Sequence, residues 1–167
     1  MHLRDYRPSD LESVHVINQG EVPAVGSEEI ADLAHIAAES VIALVAEVDD
    51  AMAGFCMVLA PGADYDSGNY QWFSERYDDF VYLDRIAIPS SYQRLGIGRA
   101  MYAEVEQRTG RVRPTATWFT LEVNLEPRND RSLAFHAAMG FVEVGQRATE
   151  YGSFVSLMAK PLTNRPA

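Results

Sequence analysis

The chain has 167 residues, 47% of them hydrophobic and 23% charged, which fits one soluble domain over 1–167 with a core large enough to fold unaided. Its formal net charge of −10 should repel nucleic acid and anionic membranes, and no apolar run approaches the ~20 residues needed to span a bilayer. A single cysteine excludes an internal disulfide framework and suits a reducing cytoplasm. The opening residues, Met1 to Tyr6, lack the apolar core of a signal peptide and carry the same expectation of a cytoplasmic chain. Four scattered histidines and one cysteine show no zinc-type spacing, so no metal site is expected.

Residues 2–6 alternate as a short strand. Pro8, Ser9 and Asp10 suit the first turn of a helix that runs on Leu11, Val14, His15 and Ile17 to about residue 19. Glycine and proline mark 20–26 as a loop. Ser27 then reads as the cap of a second helix, with Glu28 and Glu29 in its first turn and an apolar stripe of Ile30, Leu33, Ala34 and Ala37. Residues 41–48 and 52–59 are β-runs that Asp49-Asp50 joins as a hairpin. Cys56 lies inside the second run, where a buried core thiol is expected rather than a nucleophile. The connection 61–74 is rich in Gly, Asp, Ser and Asn yet holds Tyr65, Tyr70, Trp72 and Phe73. Such rings either pack a long connection onto the body or line a binding pocket.

Residues 80–88 form the next strand, which Pro89 helps to end. Alternation places Phe80, Tyr82, Asp84, Ile86 and Ile88 on one face, so Asp84 is a carboxylate among apolar and aromatic neighbours. Two readings stand: an ion pair, for instance with an arginine, or a desolvated carboxylate poised to accept a proton. After the strand comes Gln93-Arg94-Leu95-Gly96-Ile97-Gly98-Arg99, and then Ile97, Ala100, Met101 and Val105 at the spacing of one buried helix face. A glycine turn that opens a helix points unpaired N–H groups and the positive end of the helix dipole outward, which suits a phosphate; Arg94 and Arg99 can add charge. The third spaced glycine of a dinucleotide fold and the Gly-Lys-Ser/Thr of a P-loop are both missing. That helix should run to about residue 109 and end at Gly110, before a basic loop over 111–115. Residues 118–124 make a strong strand, Pro127 to Asp130 a turn and cap, and 131–139 a helix that Gly140 ends. Residues 141–149 and 154–160 close the chain as a hairpin. The order β-α-α-β-β-β-α-β-α-β-β implies an α/β fold with a mixed, mostly antiparallel sheet and helices on both faces.

With these motifs in place the sequence resembles a GNAT-superfamily N-acetyltransferase over nearly its whole length. The first carrier is Gln93-Arg94-Leu95-Gly96-Ile97-Gly98, preceded by Leu83-Asp84-Arg85-Ile86-Ala87-Ile88-Pro89. The second is Asn129-Asp130-Arg131-Ser132-Leu133-Ala134-Phe135-His136 with Gly140-Phe141. The resemblance implies acetyl-CoA as cosubstrate and a primary amine, small or peptidic, as acceptor. It leaves room for a homodimer, although no residue patch demands one. Backbone groups of Ile86, Ala87 and Ile88 would pair with the pantetheine arm, and amides from Gln93 through Arg94, Leu95, Gly96, Ile97 and Gly98 to Arg99 would hold the pyrophosphate. Asn124 and Asn129, with Ser132 and Phe135 of the second motif, would complete the CoA contacts. The N–H of Ala87 or Ile88 would polarise the thioester carbonyl.

An alkyl amine with a pKa near ~10.4 needs a base before it can attack. The resemblance assigns that role to Asp84, with Glu122 on the neighbouring strand competing. The family's usual thiolate-protonating tyrosine is replaced here by His136, which either donates or simply packs. Acceptor specificity is expected in 18–27 and in the aromatic connection 65–73, with Glu21, Tyr70 and Trp72 as candidate contacts. With the cysteine buried, the amine would attack the thioester directly. The alternative is a domain of this fold that binds acyl-CoA without turnover.

Overall fold

The computed structural model describes residues 1–162. Its elements are β1 (His2–Asp5), α1 (Leu11–Gly20), α2 (Ile30–Glu39), β2 (Ile42–Val48), β3 (Ala51–Leu59), α3 (Gly68–Ser74), β4 (Phe80–Ala87), α4 (Ile97–Val112), β5 (Trp118–Glu126), α5 (Asp130–Ala138), β6 (Val142–Ala148) and β7 (Phe154–Pro161). They form a mixed, mostly antiparallel seven-stranded sheet in the order β1-β2-β3-β4-β5-β7-β6. The described chain divides into two compact units, Met1–Leu59 with Leu83–Pro114, and Ala60–Tyr82 with the described residues from Thr115 on.

The first unit holds β1, β2 and β3, antiparallel throughout, with Leu44 opposite Cys56 and Val48 opposite Ala51. Asp49 and Asp50 both take positive φ, 51° and 61°, as a two-residue hairpin turn demands. Leu33 of α2, Leu44 of β2, Phe55 and Met57 of β3, and Ile97 and Met101 of α4 are fully buried, so the stripe expected on α4 meets a core. On α2 the buried pair is instead Leu33 and Ile36, and the expected Ile30 is exposed. α1 begins after a 3-10 turn over Pro8–Asp10. There the Asp10 carboxylate accepts the Arg7 N–H at 2.7 Å and both terminal nitrogens of Arg4 at 2.8 and 2.9 Å.

Two boundaries differ from expectation. Glu29, not Ser27, caps α2, and it does so without a side-chain bond; the Ser27 hydroxyl instead accepts from Gln19 Nε2 at 2.9 Å. α4 runs through Gly110 to Val112. A mid-helix glycine costs only about 1 kcal/mol, whereas Pro114 disfavours helical backbone at Arg113, where the helix stops.

In the second unit the first residues of β4 pair in parallel with β5, Phe80 with Trp118 and Tyr82 with Thr120. β5, β7 and β6 are antiparallel neighbours. The connection expected as a loop contains α3, so a helix stands between β3 and β4 that the expected order lacks. Ser67 caps it, its Oγ accepting the Tyr70 N–H at 3.4 Å. Of the two readings of its aromatics, packing describes Tyr70 and Phe73. Both are buried, and their ring centroids lie 5.5 to 6.4 Å from Phe80 and Tyr82. The Tyr70 hydroxyl donates to the Ala60 carbonyl at 2.6 Å and accepts the Ala63 N–H at 3.1 Å.

Candidate active site

In the first unit, a tight turn leads from β4 to α4. Gln93 spans it, its Nε2 donating to the Ile88 carbonyl at 2.8 Å, so this side chain braces the turn. Arg94 and Gly96 take positive φ, 66° and 81°, and Gly96 is the residue at which α4 begins. No side chain caps that end. Gly96, as the N-cap, has no side chain to satisfy the first amides of this sixteen-residue helix, and two exposed guanidiniums, Arg94 and Arg99, flank it. An uncapped N-terminus, a left-handed glycine and flanking cations fit the diphosphate of CoA. Leu95 is exposed in the same turn, and Ile97 is buried beneath it.

Upstream on β4, close packing fixes the backbone. A Cβ on Gly54 of β3 would sit 2.9 Å from the Ala87 carbonyl oxygen and 3.1 Å from Ile88 Cγ1, so the glycine lets β3 approach the end of β4. Asp84 forms the ion pair foreseen as one of its two readings: its Oδ2 accepts Arg85 Nε at 2.7 Å, and only 3% of its side chain is exposed. Arg85 is buried as well and reaches Asn18, Gly26 and Glu28.

In the second unit, Glu122 on β5 accepts the hydroxyl of the fully buried Tyr82 at 2.6 Å, the length of a charge-assisted hydrogen bond. The carboxylate is half-buried and held in one orientation. Asn129 caps α5, its Oδ1 accepting the Ser132 N–H at 3.1 Å, and its own N–H donates to the Asn124 carbonyl at 3.0 Å. The two asparagines expected to touch CoA are thus tied to each other through the backbone. His136 is buried between the edges of Phe135 and Phe141. Its Nδ1 lies 2.7 Å from the Ser132 carbonyl, which can only accept, so Nδ1 carries the proton of the neutral ring. Burial lowers the ring's pKa below 6.5, with the hydrogen bond to Ser132 opposing. A neutral imidazole whose proton is already engaged suits packing better than proton donation.

The sign of that shift makes a prediction. Between the lowered native pKa and 6.5 the unfolded chain binds more protons at this site than the folded chain. Stability should therefore hold above pH 7 and fall as pH drops through about 6.5. Melting temperatures of the wild type and His136→Phe from pH 5 to 7.5 check it: the variant's acid-side slope should be shallower, and equal slopes would refute the assignment.

Of the acceptor candidates, Glu21 is half-exposed just after α1, and Tyr70 belongs to the aromatic core. Trp72 lies against Gly145, where a Cβ would come within 2.6 Å of its ring, and under the Arg76 guanidinium at 4.2 Å. Sequence reasoning missed Tyr82 and Arg85 as site residues, while Asn18 falls within the segment expected to meet the acceptor. An arginine inside an apolar strand was the one available signal for Arg85. Cys56 is buried, and desolvation pushes its thiol up to about 12. It should resist iodoacetamide at neutral pH in the folded protein; rapid modification without unfolding would reopen the covalent route.

Residues 11–141 match the Acetyltransferase (GNAT) family, and the chain belongs to that family. It is an acetyltransferase that uses acetyl-CoA as cosubstrate. No curated protein matches it by sequence. Several solved structures share its fold. Ard1 from Thermoplasma volcanium is 18% identical with a TM-score of 0.78, the alignment covering 98% of each chain. The ribosomal-protein-S18-alanine N-acetyltransferase from Escherichia coli is 19% identical with a TM-score of 0.74, over 99% of this chain and 96% of that one. Arabidopsis thaliana Naa50, solved with the bisubstrate analogue CoA-Ac-MVNAL, is 15% identical with a TM-score of 0.73, over 95% of this chain and 97% of that one.

Proposed function

We propose that the chain works as one cytoplasmic domain that moves the acetyl group of acetyl-CoA to a primary amine of a peptide or small molecule. The observation that carries this reading is the uncapped N-terminus of α4 behind Gly96, set directly after β4 and flanked by Arg94 and Arg99. When bound, acetyl-CoA supplies an activated acetyl thioester. The amides of Leu95 to Arg99 hold its diphosphate, and the family motif assigns Asn124 and Asn129 as further contacts of the cosubstrate. Main-chain groups of Ile86, Ala87 and Ile88 line the arm, and the N–H of Ala87 or Ile88 donates to the thioester carbonyl, where negative charge grows.

Glu122 takes the proton from the acceptor amine. Its half-exposed carboxylate and the Tyr82 hydrogen bond that orients it favour this role over the enclosed, arginine-bound Asp84. The acceptor is engaged by the α1–α2 loop, residues 18–27. The buried thiol of Cys56 argues for direct attack by the amine, with no covalent enzyme intermediate.

The test is CoA-thiol release from acetyl-CoA across a panel of peptides, amino acids and small amines, with acetyl-CoA affinity measured by calorimetry. Turnover on one acceptor class is the expected result. Tight binding with silence across the panel would place the acceptor outside these classes and overturn the acceptor proposed here. Absence of binding would overturn the role given to α4.

A further inference from the structure

No lysine or arginine occurs between Arg7 and Arg76, so the formal charges of α1, α2 and the loop joining them are all acidic. The cation that meets this segment comes from β4. Arg85 has 5% of its side chain exposed and uses all three guanidinium nitrogens. Nε donates to Asp84 Oδ2 at 2.7 Å, and Nη2 donates to Glu28 Oε1 at 2.9 Å. Nη1 donates to Asn18 Oδ1 at 3.0 Å and, at 3.4 Å, to the Gly26 carbonyl. Asn18, itself fully buried, donates its amide to the same Gly26 carbonyl at 3.0 Å. Gln19 closes the other side of the loop by accepting the Glu28 N–H at 3.1 Å. The last turn of α1 and the first residues before α2 are thus drawn together around one planar fork. Burial pushes the Glu28 carboxyl upward while Arg85 pulls it down, so the partnership depends on Arg85 remaining in place.

We propose that Arg85 is a positioning residue that locks the α1–α2 loop onto β4 and thereby sets how tightly the acceptor amine is held. The inference rests on the reading above that this loop engages the acceptor. A planar fork reaching a carboxylate, an amide and a carbonyl in three directions has no lysine equivalent, because an ammonium is a single point on a flexible stem. Arg85→Lys therefore keeps the charge and loses the geometry. Glu28→Gln keeps an acceptor for Nη2 and loses the charge.

The experiment compares the wild type with both variants in steady-state kinetics on the best amine of the panel, in acetyl-CoA calorimetry, and in hydrogen exchange over residues 20–28. Arg85→Lys should raise the acceptor KM about tenfold, the size of one lost charge-assisted hydrogen bond, with kcat at saturating acceptor changed far less. Its acetyl-CoA affinity should match the wild type, exchange over 20–28 should quicken, and Glu28→Gln should fall between. If Arg85→Lys fails to fold, Glu28→Gln with Asn18→Leu, which removes the acceptor of Nη1, supplies the same readouts. An unchanged acceptor KM in a folded variant, or a parallel loss of acetyl-CoA affinity, would overturn the proposal. If the wild type turns over no amine of the panel, the acceptor reading fails on its own account, while unchanged exchange in the variants would separately refute the lock.

Discussion

Glu122→Gln should lower kcat by at least about a hundredfold, the lower end of what a positioned general base contributes. Glutamine can still accept the Tyr82 hydroxyl that now lies 2.6 Å from the carboxylate, so the fold and the acetyl-CoA affinity should survive. A loss confined to kcat is the signature of an interaction made in the transition state alone. Tyr82→Phe should reproduce a smaller part of the loss, because the carboxylate keeps its chemistry but not its fixed orientation. Asp84→Asn is the necessary companion. Its carboxylate partners Arg85 at 2.7 Å and is almost fully enclosed, so the expected injury is to stability, seen as a lowered Tm, with a smaller effect on kcat. Should the two variants exchange these phenotypes, the base would be Asp84 and Glu122 the support.

Gly54→Val should harm both stability and cosubstrate binding. Its new Cβ would meet the Ala87 carbonyl oxygen at 2.9 Å, a backbone atom that cannot swing away, and Ile88 Cγ1 at 3.1 Å. Overpacking of this kind costs about 1–3 kcal/mol. For a chain of this length each kcal/mol lowers Tm by roughly 2–4 °C. The displaced groups belong to the stretch proposed to line the acetyl-CoA arm, so the acetyl-CoA KM should rise while the acceptor KM moves less. Thermal melts and initial rates on Gly54→Ala and Gly54→Val should rank the two in order of bulk. A valine variant with wild-type Tm and KM would show that β3 can yield, and would remove the argument for that glycine.

The parts of this molecule that are legible in the sequence are those whose cause is local. A strand, a glycine turn and a helix stripe within 81–105 declare themselves through alternation, backbone freedom and the 3.6-residue period, and the turn is where they place it. The Asp49-Asp50 hairpin is local in the same way. α3 is hidden because seven residues are too few for a helical period, and the polar composition around them reads as loop; Ser67 is a cap signal with too short a helix behind it. Gly110 misleads because a glycine alone does not end a helix, and here Pro114, four positions on, sets the stop. The site is hidden for a different reason. Tyr82 and Glu122 stand 40 positions apart, and Arg85 meets Glu28 across 57, so only the folded chain reveals which side chain each one holds. Alternation says that Asp84 sits on an enclosed face. It does not say that its neighbour Arg85 claims it.

Cys56 offers a use beyond its place in the core. It is the chain's one sulfhydryl, and it sits in the middle of β3 opposite Leu44. A thiol reagent added in pulses therefore counts molecules in which that strand has come away from its neighbours, one covalent mark per opening event. The chain carries its own clock for how often this half of the sheet breathes. Any ligand that steadies the end of β4 can be timed by how far it slows the marking.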